Sequence, residues 1–438
     1  MLVFAFVLTI VLLIFLIVKV RVHAFIVLLF SGLLFGLLAG NAPVEVAKNV
    51  AAGFGGTLQH IGIVIVLGVL VGEILERTGG AQKIARSILK VVGIKRATYA
   101  TSITGAMVAI PVFCDSGFVI LNPIIKAISR VGKIPYMTLV VALMAALLTT
   151  HSFIPPTPGP VAAAALFNAD LGRVMLYGLI ISIPVVIACS IWANSRFIKG
   201  AYPELAEEEE IEDAARKIDE SLESGPSTFM SYLPILIPIV LIVTSSFVHS
   251  DSAFGKVIGF VGTPWVALFI GTLAAFMLPK KCDRTVTEDW VVASMKSASE
   301  ILLITGAAGG FAKVLQSTDI GMLLCNFILD TGLPGFVIPY LMATLMDVAM
   351  GSATVALMTV GAILGPIVGT LGITPEVAVL ATAAGSLTFC HTNSSYFWCV
   401  SKMAGITELR TSYRIVTATS VIMGIVAMIS LYILKMFI

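Results

Sequence analysis

Four ionisable side chains stand inside otherwise apolar segments of this sequence, where their chemistry would be proton transfer or polar ligand binding: Asp115, His151, Asp347 and His391. An ionisable group at membrane depth is costly and usually functional. A carboxyl group there can be neutral while a site is closed and dry, and ionised when water reaches it. We therefore predict these four residues as proton carriers, with Asp115 first. The alternative for each histidine is a neutral ring that bonds a neighbouring helix.

Hydroxyl side chains and glycines gather around those four positions. Glycine lets a ligand approach the backbone closely, and free amides at helix N-termini favour anions, although small residues also line ordinary helix contacts in membranes. The pattern predicts a binding site for a small anion, without a metal. The predicted substrate-binding residues are Ser116, Gly117, His151, Ser152, Gly351, Ser352, Thr354, His391, Thr392, Asn393 and Ser394.

The stretch "TTHSFIPPTPGP" (149–160) contains four prolines in one of the most apolar parts of the chain. Proline lacks an amide donor and clashes with the preceding turn, so no regular helix continues through this stretch. Non-helical backbone at membrane depth is tolerated only where protein or a water-filled cavity satisfies it. We predict a broken helix that builds a binding site, with "FCHTNSSYFW" (389–398) as its counterpart.

Composition places these segments in a membrane. The chain has 438 residues, of which 58% are hydrophobic and 12% charged, and its mean hydropathy is +1.03. Soluble domains are about 25% charged, so this composition indicates an all-α polytopic membrane protein. A net charge of +2 argues against nucleic acid as a partner. No nucleotide, hydrolase or zinc motif occurs, so we predict no enzyme activity and no cofactor, and transport driven by an ion gradient.

The distribution of charges predicts the topology. Basic clusters at 19–21, 77–96 and 126–133 indicate cytoplasmic loops. The segment 97–125 has basic clusters on both flanks and must therefore return as a re-entrant hairpin. We predict a first half at 1–198, a cytoplasmic acidic linker at 199–228 and a second half at 229–438.

A weak internal repeat relates the two halves. Residues 74–89 align with 314–329 at an offset of 240, and "DSGFV" (115–119) aligns with "GSATV" (351–355) at an offset of 236. The first half then crosses the membrane five times, so the second half begins on the opposite side. We predict two inverted repeats, each with a re-entrant helical hairpin and a broken transmembrane helix, an arrangement found in many secondary transporters.

The segments "GFVILNPI", "SFIPPTPGPVAAAALFNADLGR", "GSATVALMTVGAI" and "HTNSSYFW" resemble the gluconate permease (gluconate:proton symporter) family, within the larger ion transporter superfamily. The resemblance covers nearly the whole length. It implies import of sugar acids and related small hydroxy acids with protons. It also implies a homodimer with a scaffold domain and a moving transport domain.

We therefore expect a proton-coupled symporter of a small hydroxylated monocarboxylate, in the inner (plasma) membrane, that works by elevator-type alternating access. Its expected partners are the lipid bilayer, the small organic anion and a second copy of the chain. Two alternatives remain open. One is a sodium/proton or oxyanion antiporter of the same superfamily, since sodium coupling is not excluded; the other is a channel or a non-transporting receptor.

Overall fold

The structure, a computed structural model, describes residues 2–93, 96–199, 225–248, 252–318, 320, 333–392 and 394–438. Within these ranges every regular element is helical. Six helices there are long and apolar enough to cross a membrane, or eight if each of two bent helix pairs is one span. The predicted all-α polytopic fold is confirmed.

The first half contains ten helices among the described residues. Short polar or proline-containing connections separate them, and Asp170 caps α9 by accepting a hydrogen bond from the Arg173 amide at 2.8 Å. The amphipathic helix α4 buries Ile84 and Ile88. The helices are α1 Leu2–Val18, α2 Ala24–Leu38, α3 Pro43–Arg77, α4 Gly80–Val92, α5 Ala97–Val108, α6 Cys114–Gly132, α7 Tyr136–Phe153, α8 Pro158–Phe167, α9 Leu171–Ala193 and α10 Arg196–Lys199.

The second half also contains ten helices among the described residues. A π-helical turn (Thr285–Asp289) leads into α14, and another (Tyr413–Thr417) joins α19 to α20. A 3₁₀ segment (Gly365–Leu371) extends α16. The helices are α11 Thr228–Phe247, α12 Ala253–Val261, α13 Pro264–Ala275, α14 Trp290–Gln316, α15 Val337–Met350, α16 Ala353–Leu364, α17 Pro375–Ser386, α18 Ser395–Met403, α19 Leu409–Ser412 and α20 Ala418–Lys435.

The helices are interrupted within all four predicted segments, but the first interruption, at 109–113, comes before Asp115, which is helical. Helix α5 ends before Pro111, and α6 folds back beside it, since Thr101 and Thr104 of α5 and Leu121 and Ile124 of α6 line one small space. Helix α15 packs against α16 across a turn at 351–352. The breaks between α7 and α8 and between α17 and α18 lie at 154–157 and 387–394.

Helix α3 supports two of these interruptions by close backbone contact. A Cβ atom added at Gly68 would lie 3.1 Å from the Pro156 carbonyl oxygen. A Cβ atom at Gly72 would overlap the carbonyl oxygen of Pro111. Only glycine admits such approaches. The first hairpin and the first broken helix therefore both rest on α3, which packs in turn along α14.

Parts of the predicted linker and of the predicted internal repeat fall on residues that the structure does not describe. Residues 200–224 of the predicted linker lie outside the described residues, as does most of the 314–329 repeat segment beyond 318. The boundaries at 1–198 and 229–438, and the inverted relation of the two halves, stay predictions.

Candidate functional site

A cavity of about 70 Å³ lies where the two hairpins and the two broken helices meet. One water molecule needs about 10–15 Å³ of such space, so the cavity has room for several waters. Its walls carry carboxyl, imidazole, hydroxyl and thiol groups. The lining residues are Cys114, Asp115, Leu148, His151, Asp347, Gly351, Ser352, Ala353, Thr354, Ser386, Cys390, Ser394, Ser395 and Tyr396.

Nearly every lining side chain stands at the end of a helix, because the interruptions bring helix ends together. Asp115 is in the first turn of α6, and His151 is in the last turn of α7. Asp347 is in the last turn of α15, which ends at Gly351 with φ 70°, a left-handed conformation that glycine adopts without strain. Ser352 then caps α16 by accepting a hydrogen bond from the Val355 amide at 3.4 Å.

Three helix N-termini, those of α6, α16 and α18, reach the cavity. Helix N-termini carry partial positive charge and unpaired amides, and therefore attract anions. The capping residues Phe113 and Ser394 make no side-chain capping bond to α6 and α18. No N-cap side chain therefore competes with a ligand for the first-turn amides of these two helices, whereas Ser352 already satisfies one amide of α16.

The cavity holds two carboxyl groups, and none of the described lining residues is lysine or arginine. Asp347 is 4% exposed, and no described residue donates a hydrogen bond to its carboxyl group. Asp115 is half-buried, and the Cys114 thiol lies 3.8 Å from its Oδ2. A buried carboxylate without a cation is costly, so an anionic ligand in this cavity requires these carboxyls to be neutral.

The last turn of α7 carries four buried polar atoms without a hydrogen-bond partner in the described structure. They are Thr149 Oγ1, Thr150 Oγ1, His151 Nδ1 and Ser152 Oγ. Serine and threonine within helices usually bond a carbonyl one turn earlier, as Thr382 does to Ala378 O at 2.7 Å. Native proteins pair nearly all buried polar groups. Of these four residues only His151 lines the cavity, so its Nδ1 is the unpartnered atom at this turn placed for a ligand or water.

At the break between α17 and α18, by contrast, polar groups of Cys390, His391 and Thr392 have hydrogen-bond partners within the protein. The Cys390 amide donates to Ser420 Oγ at 3.0 Å, and Thr417 Oγ1 donates to the Cys390 carbonyl at 2.6 Å. His391 Nε2 lies 3.0 Å from the Val348 carbonyl oxygen, and Trp398 Nε1 donates to Thr392 O at 2.8 Å. These bonds tie the break to α15, α18 and α20.

The structure brings seven of the predicted residues together on the cavity: Asp115, His151, Asp347, Gly351, Ser352, Thr354 and Ser394. Five others do not line it: Ser116, Gly117, Ser152, His391 and Thr392. Gly117 has a packing role, since a Cβ atom there would lie 2.7 Å from Leu147 Cδ2. Asn393 lies outside the described residues.

Several lining residues were not predicted from the sequence. Ser386 ends α17, while Ser395 and Tyr396 begin α18, and Cys114 and Cys390 place thiols beside the carboxyl groups. Ser395 and Tyr396 stand within the predicted break at 389–398, whereas Ser386 precedes it and carried no such signal. The Tyr396 hydroxyl is buried and donates to the Met144 carbonyl at 3.0 Å. Among the described residues, no three or more histidine, cysteine, aspartate or glutamate side chains are grouped so that they could hold a metal ion.

Comparisons with known proteins agree with this architecture. The family model described as "GntP family permease" matches residues 1–437. An uncharacterized permease of Haemophilus influenzae is 37% identical, covering 91% of this chain and 85% of that protein. The high-affinity gluconate transporter of Escherichia coli K12 is 32% identical, with 91% of each chain covered. The crystal structure of the YdaH transporter of Alcanivorax borkumensis has the same fold, with a TM-score of 0.65 at 14% identity, covering 90% of this chain and 88% of that one.

Proposed function

This chain belongs to the GntP permease family, and we propose that it imports gluconate or a related sugar acid into the cell together with a proton. The family consists of permeases, not enzymes, and the chain is a multi-pass membrane protein. The name of the E. coli relative, a gluconate transporter, supports the substrate class. The charges around the cavity support the coupling of substrate transport to proton transport.

The observation that carries this proposal is the combination of charges around the cavity. Three helix N-termini favour an anion there, while Asp115 and Asp347 oppose one when they are ionised. Two unit charges 4 Å apart interact by about 4 kcal/mol at an effective dielectric constant of about 20. Binding of a carboxylate substrate therefore favours protonation of these residues. That link makes substrate and proton move together.

The substrate carboxylate would bind first-turn amides of α6 and α18, and its hydroxyl groups would bind side chains. His151, Ser352, Thr354 and Ser394 line the cavity and provide both donors and acceptors. The cavity of about 70 Å³ corresponds to roughly five to seven waters at 10–15 Å³ each, which is little space for a six-carbon acid. Entry of the substrate would require the hairpins to move away from their neighbours.

Such movement fits elevator-type alternating access, in which the hairpins and broken helices form the moving domain and α3 and α14 belong to the scaffold. We include a homodimer in the proposal, as well as inverted halves joined by a cytoplasmic linker. Single cysteines placed at 203–224 should react with impermeant thiol reagents only from the cytoplasmic side. Labelling of the linker from outside intact cells would contradict the inverted arrangement.

The function is tested by uptake into proteoliposomes that contain the purified protein. Labelled gluconate should accumulate when the outside is acidic, and an inward sodium gradient at constant pH should add nothing. A panel of sugar acids, screened by thermal shift of the purified protein, would identify the preferred substrate. Native mass spectrometry of the same sample would show whether the protein is a dimer.

The competing functions give different results in the same assay. Uptake driven by sodium, or sodium/proton exchange without any organic substrate, would favour the antiporter. Flux that only equilibrates gluconate across the membrane would indicate a channel. Binding without flux would indicate a receptor.

A further inference from the structure

A second cavity, of about 310 Å³, lies at one end of the helix bundle, apart from the candidate site. It is formed by the end of α3, the connection from α13 to α14, the start of α14 and the residues just before α11. Three of its lining residues are cationic: Arg77, Lys280 and Lys281. Asp283 is the acidic residue among those that line it.

The guanidinium group of Arg77 is held in place at the wall of this cavity. Its Nε donates to Glu73 Oε1 at 2.6 Å, and its Cζ lies 5.7 Å from the centre of the Trp290 ring. Its two terminal nitrogens have no hydrogen-bond partner among the described residues. A fixed guanidinium with free terminal nitrogens is suited to binding two oxygens of one phosphate group.

The two lysines add charge that the described residues do not neutralise. Lys280 and Lys281 are exposed and form no ion pair within the described part of the chain. Their acidic neighbour is already engaged, because Asp283 accepts a hydrogen bond from the Val286 amide at 3.2 Å and caps the following turn. The nearby Arg284 differs, since it is paired with Glu288. With three cations and one carboxylate among the lining residues, positive charge predominates on the cavity side of this connection.

The surroundings of the cavity are those of a membrane surface. It lies where the apolar helices α3 and α13 end and α14 begins, and Trp290 is a residue type enriched at this level. Two exposed apolar side chains lie near the lining residues in sequence: Met277, 68% exposed, directly before Leu278, and Phe229, 72% exposed, three residues after Pro226. Acyl chains could cover both while a headgroup occupies the cavity. The basic residues predict the cytoplasmic side.

We propose that this cavity binds a phosphate group, supplied by an anionic phospholipid of the cytoplasmic leaflet. The phosphate would contact Arg77, Lys280 and Lys281, and the acyl chains would lie against Met277 and Phe229. Because Arg77 ends α3 and Trp290 begins α14, the bound headgroup would also connect the two long helices that pack along each other. Basic pockets between helices on the cytoplasmic side are known to bind anionic headgroups.

The experiment compares ligands on the purified full-length protein in a neutral detergent. Short-chain phosphatidylglycerol, short-chain phosphatidylcholine and inorganic phosphate are titrated separately, and the apparent dissociation constant is read from the shift in melting temperature. Phosphatidylglycerol should bind and phosphatidylcholine should not. Binding of inorganic phosphate without phosphatidylglycerol would retain the phosphate site but overturn the lipid as its source.

Variants of the cavity lysines test whether phosphatidylglycerol binds in this cavity. The double variant Lys280→Gln/Lys281→Gln should bind phosphatidylglycerol roughly 10- to 30-fold more weakly, since each basic residue near an anionic surface contributes about a fivefold factor. Lys280→Arg/Lys281→Arg should retain binding. The matched control Lys83→Gln/Lys90→Gln removes the same charge from α4, outside the cavity, and should bind as the wild type does. Equal weakening in the control and the pocket variant would overturn the proposal.

Discussion

The two broken helices of this protein differ in how their polar atoms are satisfied. At the first break, four consecutive residues, Thr149 to Ser152, carry buried polar atoms without partners in the described structure. At the second, Ser420 and Thr417 bond both the amide and the carbonyl of Cys390. A hydrogen bond contributes about 1 kcal/mol net, whereas an unsatisfied buried group costs about 1–3 kcal/mol.

This difference indicates a division of labour around one cavity. The second break is held by the protein itself and forms a fixed wall. We propose that the end of α7 offers unpartnered groups, with His151 on the cavity, to substrate, water or a proton. Helix ends that look alike in sequence therefore have different roles, and substitutions at the two breaks should have opposite consequences.

The largest effect is expected at the carboxyl groups that share the cavity with the first break. Asp347→Asn imitates the protonated side chain permanently, so substrate should still bind and exchange while accumulation driven by a pH gradient falls to the level of empty vesicles. Counterflow of labelled gluconate and pH-driven uptake are measured on the same vesicles. Asp115→Asn should behave alike.

Full pH-driven accumulation by both asparagine variants would remove these carboxyls from the coupling mechanism. The coupling role would then pass to His151, the other titratable group of the cavity with an unpartnered atom.

Exchanging the two histidines for alanine separates binding from folding. His151→Ala should weaken gluconate affinity about 2- to 10-fold, because a hydrogen bond to a substrate hydroxyl contributes about 0.5–1.5 kcal/mol net. His391→Ala should instead lower the melting temperature, because the Val348 carbonyl loses its partner. Calorimetric titration and thermal unfolding measure the two effects. A strong loss of affinity in His391→Ala with unchanged stability would reverse the proposed roles.

Hydroxyl deletions should change stability in opposite directions at the two breaks. Thr149→Val and Ser152→Ala remove unsatisfied buried groups, so each should raise the stability of the substrate-free protein, by about 1 kcal/mol. Thr417→Val and Ser420→Ala remove satisfied bonds, so each should lower stability by a similar amount. The melting temperatures of the four variants, measured without substrate, show whether stability changes in opposite directions at the two breaks. A decrease in all four would mean that the first break is satisfied as well.

The smallest effect concerns the helices that begin at the cavity. Ser352→Ala removes the N-cap of α16 and should cost about 0.5–2 kcal/mol of stability. Ser394→Ala should cost much less, since Ser394 makes no side-chain capping bond to α18. Thermal unfolding of both variants gives the comparison. Equal losses would show that α18 depends on its first residue as α16 does.

The helix interruptions that form the site could be predicted from local sequence. The residues that line the cavity could be predicted only in part. Prolines at 155 and 156 end α7, and glycine and serine at 351 and 352 separate α15 from α16. The positions of all four interruptions follow from such residues. Ser116 and Ser152 were nevertheless predicted to bind substrate, and neither lines the cavity, because helix rotation about its axis is set by packing against other helices.

Sequence by itself determined that the chain is a bundle of apolar helices with polar interruptions, because hydropathy and proline act within a few residues. It also identified Asp115, His151 and Asp347. The tertiary structure alone decided that His151 faces the cavity while His391 bonds the Val348 carbonyl. The partners that close the second break, Thr417 and Ser420, lie 27 and 30 residues from Cys390. Such bonds depend on how distant helices pack, which no local pattern encodes.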